Sequence, residues 1–208
     1  MTEIGRIEKP RADQYRNMKK IYFVRNLYLP KNATDRYREI YVRYWSEVDD
    51  HLKRLEAAGA VSKIFCESIY MSGDEAMKVL SAMNARLEQI VREKVDAGAA
   101  LLPLEDKEIF GAYVDWSNCL MIVRTEEVHK KIHEFLHEAL NRRYEHIRTV
   151  LADAIAVGEA ALLIMREEDQ KSLGLPPDIE LFTISPPAYE DLLGFIRDRD
   201  SGKEYWRT

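Results

Sequence analysis

With 208 residues, 46% hydrophobic and 32% charged, the chain has the composition of a single globular domain and is neither disordered nor collagenous. A net charge of -5 supplies no field for a polyanion, which makes nucleic acid an unfavoured partner. The apolar run AALLIM at 160–165 falls far short of the ~20 residues that cross a bilayer, so no membrane partner is expected.

The first twenty residues are polar and lack the apolar core of a secretory signal, and the two cysteines, Cys66 and Cys119, lie inside apolar runs. Both features predict a cytoplasmic protein with free, buried thiols. Residues 1–19 read as a flexible segment, 20–199 as a single α/β domain and 200–208 as a flexible tail. The aromatic, β-branched run KIYFVRNLYL at 20–29 predicts a first strand. Asn32 or Thr34 then caps a helix to Ala58, whose apolar positions Tyr37, Ile40, Tyr41, Tyr44, Trp45, Val48, Leu52 and Leu55 recur at helical spacing before Gly59.

VSKIFCESIY predicts a second strand, and Ser72 with Glu75 reads as a capping box opening a second long helix that runs to Gly98. AALLPL predicts a third strand, made short or placed at an edge by Pro103. A short helix near 106–112 is expected before a strand YVDWSNCLMIV, and a third long helix from Thr125 to Val157 ends at Gly158. The strand AALLIM, a loop holding Pro176 and Pro177, the strand IELFTIS and a helix at 188–199 complete the chain. Strands alternating with long helices require parallel crossovers, so the expected fold is a three-layer, mostly parallel α/β sheet with long helices on both faces.

Three junctions share one pattern. LEAAGAVSKIFCE, KVDAGAALLPLED and IAVGEAALLIMREED each run from a helix through a glycine and a buried strand to carboxylates. In a parallel sheet the carboxyl ends of the strands share one edge, where open α/β folds build ligand sites. Glu67, Glu105, Glu108, Glu168 and Asp169 are therefore expected to gather there, in an acidic cleft suited to a small polar ligand or a divalent metal ion. Arg143 and His146 fall within the apolar stripe of the third long helix, and a buried arginine at that place would reach those carboxylates or clamp an anion. Glycine-rich phosphate loops and a G-x-S-x-G nucleophile elbow are both missing.

Glu67 at a strand end, Glu105 and Glu108 in LEDKE, Arg143 in RRYEHIRTVLADAI and the exit GEAALLIM together resemble the TraB/GumN and Tiki group and its erythromycin-esterase relatives, over residues 20–185. The resemblance implies hydrolysis carried by acidic residues, an arginine and histidines. Those histidines are lacking, because FVRNLYL and REEDQK contain none, so a degenerate or altered hydrolase site is implied, with Glu67, Glu105, Glu108 and Arg143 as its catalytic residues.

Two other readings compete. His133-Glu134-Phe135-Leu136-His137 is a literal H-E-x-x-H, in which His133 and His137 would hold zinc, Glu134 would act as general base and Glu159, 22 residues beyond His137, would be the third ligand. That describes a zinc metallopeptidase. Alternatively RYREIYVRYW sets Tyr37, Tyr41, Tyr44 and Trp45 among Arg36, Arg38 and Arg43, a face that could hold RNA or a partner helix in a non-enzymatic module. Such aromatic positions serve a homodimer face or a core equally well.

Overall fold

The structure, a computed structural model, describes residues 17–200. Its five strands, β1 (Lys19–Arg25), β2 (Val61–Cys66), β3 (Ala100–Leu102), β4 (Ala160–Met165) and β5 (Ile179–Thr183), form one sheet in the order β3-β2-β4-β1-β5. Every pairing is parallel. The helices are α1 (Asp35–Leu55), α2 (Gly73–Met83), α3 (Ala85–Asp96), α4 (Lys107–Ile122), α5 (Glu126–Ala154), α6 (Glu167–Leu173) and α7 (Pro187–Asp200).

β4 is buried at all six residues, as a central strand covered on both faces must be. Alternate residues divide the core. Tyr22, Val24, Leu162 and Ile164 face α1, α2 and α3, whereas Ile21, Phe23, Leu163 and Met165 face the second half of α5 and α6. α7 packs on α1 through Leu192, Phe195 and Ile40. The expected three-layer α/β architecture is therefore present. β3 is short and lies at an edge, in keeping with Pro103 at its end.

Several local expectations need correction. The segment YVDWSNCLMIV is no strand, because Asp106 caps the amides of Glu108 and Ile109 and starts a helix that continues through Ile122. The helix expected from Ser72 to Gly98 is two helices broken at Asn84, whose backbone is extended (φ −158°, ψ 94°). Ser72 occupies the cap position of α2 without a side-chain hydrogen bond, so no capping box forms. REEDQK, expected in a loop, forms α6. β1 begins at Lys19, inside the segment expected to be flexible; residues 1–16 of that segment and 201–208 of the expected tail lie outside the described residues. Gly158 has the positive φ (+87°) expected at a helix exit. Gly59 serves a close approach instead, since a Cβ there would lie 2.9 Å from Cε of the buried Lys20.

The strand order opens the site. The connections leaving β1 and β2 cross the face covered by α1, α2 and α3, whereas the one leaving β4, through α6, crosses the other. Neighbouring strands whose loops part to opposite faces leave a crevice at their carboxyl ends.

Candidate functional site

Glu67 follows β2 directly and its carboxyl group lies in that crevice, 3% exposed. Oε1 accepts from Asn26 Nδ2 (2.9 Å) and from the Tyr28 hydroxyl (3.1 Å), and Oε2 accepts from the Arg166 backbone N–H (3.0 Å). Burial pushes its pKa above the ordinary glutamate value, outweighing the Arg166 N–H, Asn26, the Arg166 charge and Tyr28, all of which pull it down. Burial and the adjacent Glu67 charge raise the Tyr28 hydroxyl as well.

Beside it lies a continuous ion-pair network. Arg143, 1% exposed, donates from Nη2 and Nε to Glu105 (2.6 and 3.0 Å) and from Nη1 to Asp169 (3.0 Å). Asp169 also accepts from the Tyr144 hydroxyl and from Arg166 Nη2, each at 2.8 Å. Burial would raise the Asp169 pKa, but the Tyr144 bond and the two guanidinium charges hold it below its ordinary value. Glu105 is completed by the N–H of Ser68, which sits at φ +68° and so turns its amide towards the carboxylate.

Arg166 links the network to Glu67. Its side chain is 45% exposed, its Nη2 donates to the Tyr113 hydroxyl (2.8 Å) and its Nε lies 3.6 Å from Glu67 Oε2. The rings of Tyr113 and Phe110, both from α4, lie 5.0 and 5.6 Å from the Arg143 guanidinium carbon. Tyr28, Glu67, Ser68, Phe110, Tyr113, Arg143 and Arg166 enclose a cleft of about 230 Å³. A larger groove of about 470 Å³ between α1 and α7 is lined by Arg36, Arg43, Glu190 and Asp191, but Arg43 and Asp191 pair with each other and none of the buried carboxylates reaches it.

Of the residues singled out in the sequence, Glu67, Glu105, Asp169 and Arg143 come together. Glu108 does not join them: it is exposed in the first turn of α4. Glu168 is exposed too, one step around α6 from Asp169, and His146 is half-buried on α5. Sequence reasoning missed Asn26, Tyr28, Tyr113 and Arg166. A signal existed for two of these, since Asn26 and Arg166 each directly follow a central strand.

The histidine row is elsewhere. His133, Glu134 and His137 are exposed on the first half of α5, where the rings of His129 and His133 meet edge to face. Glu159 binds Lys63 and accepts from the N–H of Ala156 just beyond the other end of α5, ~25 Å from His137 at 1.5 Å per helical residue. Among the described residues no group of three or more His, Cys, Asp or Glu is placed to hold a metal ion. The carboxylates of the cleft are instead each engaged by arginine. On α1, Tyr41, Tyr44 and Trp45 are buried in the core, so that helix presents no aromatic face of these three to an RNA strand. No helix among the described residues is long and apolar enough to cross a membrane.

Comparison with known proteins adds nothing to this geometry: no family model, curated protein or solved structure matches the chain.

Proposed function

We propose that the cleft binds a small polar molecule and hydrolyses it, with Glu67 exchanging the proton of an attacking water and Arg166 holding the oxygen on which negative charge develops. The observation that carries this reading is the buried Glu67 carboxyl beside a solvent-reachable guanidinium, its proton affinity raised by its surroundings. Two arginines oppose the carboxylates Glu67, Glu105 and Asp169, so the cluster is neutral when Glu67 holds a proton and carries one negative charge when it does not. A proton is thus gained and lost here at the cost of a single charge.

Arg143 is a positioning residue in this scheme. It fixes Asp169, which in turn holds Arg166, and three of its five N–H groups are already engaged by Glu105 and Asp169. At about 230 Å³ the cleft is below the usual ~300 Å³ lower bound for ligand pockets, which suits a small metabolite. The resemblance to the TraB and erythromycin-esterase group supports the same reaction class, because Glu67 and Arg143, two of the residues that carry it, line this cleft and Glu105, a third, pairs with Arg143. With no histidine in the cluster, the chemistry rests on the carboxyl group.

The test is hydrolysis of a panel of p-nitrophenyl esters, phosphates and glycosides by wild type and by Glu67→Gln. A loss of ~10²-fold or more in kcat for the variant, with its circular dichroism unchanged, is expected. Equal rates in both proteins, or an ordinary glutamate titration at Glu67 by carbon-13 NMR, would remove the proposal.

A further inference from the structure

The α4–α5 hairpin stands away from the core. None of the α4 residues is buried, and α5 buries side chains only from Ala139 onward. Yet Ile109, Phe110, Ala112, Tyr113, Val114, Trp116, Cys119, Leu120 and Met121 leave the polar residues other than Ser117, which are Lys107, Glu108, Asp115 and Asn118, an arc of only ~100° on the helix. One neighbour cannot cover the remaining circumference. α5 takes one side, with Trp116 stacked on Phe135 at 4.7 Å. Phe110, Val114, Ser117 and Met121, spaced by four, three and four residues, share another stripe, half-buried at the first three and exposed at Met121, with Phe110 at one end against the Arg143 guanidinium. At the tip Met121 and Ile122 are 77% and 75% exposed, and Val128 opposite is exposed as well.

We infer that this hairpin is a dimerisation arm whose partner is a second copy of the chain, laid antiparallel upon it to complete a four-helix bundle. The stripe on α4 is symmetric about its midpoint. A two-fold axis there sets Phe110 opposite Met121 and Val114 opposite Ser117, a larger side chain against a more flexible or smaller one in each layer. The Ser117 hydroxyl already donates to the Tyr113 carbonyl (2.8 Å), so covering it strands no donor.

A hairpin face ~24 Å long and ~20 Å wide gives roughly 1,000 Å² over both copies, the lower end of specific interfaces, and fits a dimer that dissociates on dilution. A net charge of -5 disfavours an anionic lipid surface as the alternative cover. Phe110 also lines the cleft, so the pairing borders that site, but the inference does not rest on what the cleft binds.

Sedimentation equilibrium of the full chain from ~1 to ~100 μM tests the inference. A mass rising to twice 24.3 kDa is expected, and Val114→Glu with Met121→Glu should weaken association at least ~100-fold while leaving the circular dichroism unchanged, since neither side chain is buried within one chain. Val114→Cys with Ser117→Cys, in a Cys119→Ser background, should give a covalent dimer on oxidation, and Asp115→Cys in that background should not. A chain that stays monomeric at the highest concentration overturns the inference, as does a dimer indifferent to the two glutamates. A monomer that floats with phosphatidylcholine vesicles would assign the arm to a lipid surface instead.

Discussion

Arg143 and Glu105 form a forked ion pair from which water is excluded: guanidinium Nη2 and Nε lie 2.6 and 3.0 Å from the carboxylate, and both side chains are 1% exposed. Burial works against the guanidinium charge, but Glu105 and then Asp169 overcome it and keep the arginine more basic than usual. Removing one member leaves the others charged, buried and unpaired. Arg143→Ala is therefore expected to cost ~3–5 kcal/mol in urea unfolding. Arg143→Met combined with Glu105→Gln and Asp169→Asn should recover most of that loss, and a single variant as stable as wild type would show that the pair is hydrated in solution.

Asn84 joins three elements with one side chain. Its Oδ1 accepts from the Tyr41 hydroxyl (2.6 Å) and from the Arg86 and Leu87 amides that open α3, while Nδ2 donates to the Leu27 carbonyl (2.9 Å). Asn84→Ala removes a helix cap worth ~1 kcal/mol and strands a buried hydroxyl and a carbonyl, so a total of ~2–4 kcal/mol is expected by denaturant titration. Asn84→Asp, which keeps the cap but loses the donor to Leu27, should fall between the two.

The same residue shows why the sequence was legible only in part. Apolar spacing continues across Asn84 from Leu80 to Leu87, and nothing local reveals that the amide is claimed by Tyr41, 43 positions earlier. The parallel sheet was readable because its strands are continuous apolar runs between helices, Glu67 and Glu105 because each follows such a run, and Arg143 because it falls within the apolar stripe of a helix. α4 was misread because a helix apolar around more than half its girth looks locally like a buried strand. Tyr113 and Arg166 gave no periodic signal, since their role comes from the meeting of α4 with the end of β4.

Acid should weaken the fold through Glu167. The hydrogen bonds from Arg25 and then Tyr189 hold its pKa down to about 2, against 4.5 ordinarily. A depressed folded value means that the stabilisation is complete above pH ~4.5 and is lost as pH falls towards 2. With the carboxylate 22% exposed, solvent screening limits the effect to ~1–2 kcal/mol. Glu167→Gln should flatten the stability curve in that window, and an unchanged slope between pH 4.5 and 2.5 would contradict the assignment.

The histidine pair predicts an absence of effect. His133 and His137 are exposed on one turn of α5 and Glu159 is held by Lys63 beyond the far end of that helix. His133→Ala with His137→Ala should change stability by less than ~0.5 kcal/mol, as exposed substitutions do. One equivalent of zinc should leave the Tm of wild type unmoved; a rise abolished by the double variant would show a metal site that the monomer does not display.

Glu67 should be held at a cost in stability. Because its folded pKa is raised, the stabilisation associated with this group is complete below the unfolded value near 4.5 and is lost as pH rises through the folded one. Glu67→Gln carries no charge to bury, so its stability relative to wild type should improve as pH rises above the unfolded value near 4.5, while hydrolysis falls. Glu167 acts in the opposite sense over acid pH but is common to both proteins, so the difference between them isolates Glu67. The local hydrogen bonding can accept the amide: Asn26 Oδ1 is buried without a donor, and turning that amide lets it receive the glutamine N–H while Arg166 N–H keeps an oxygen acceptor. A stability difference that does not vary with pH would mean that Glu67 titrates alike in the folded and unfolded chain, and its role in proton exchange would fall with it.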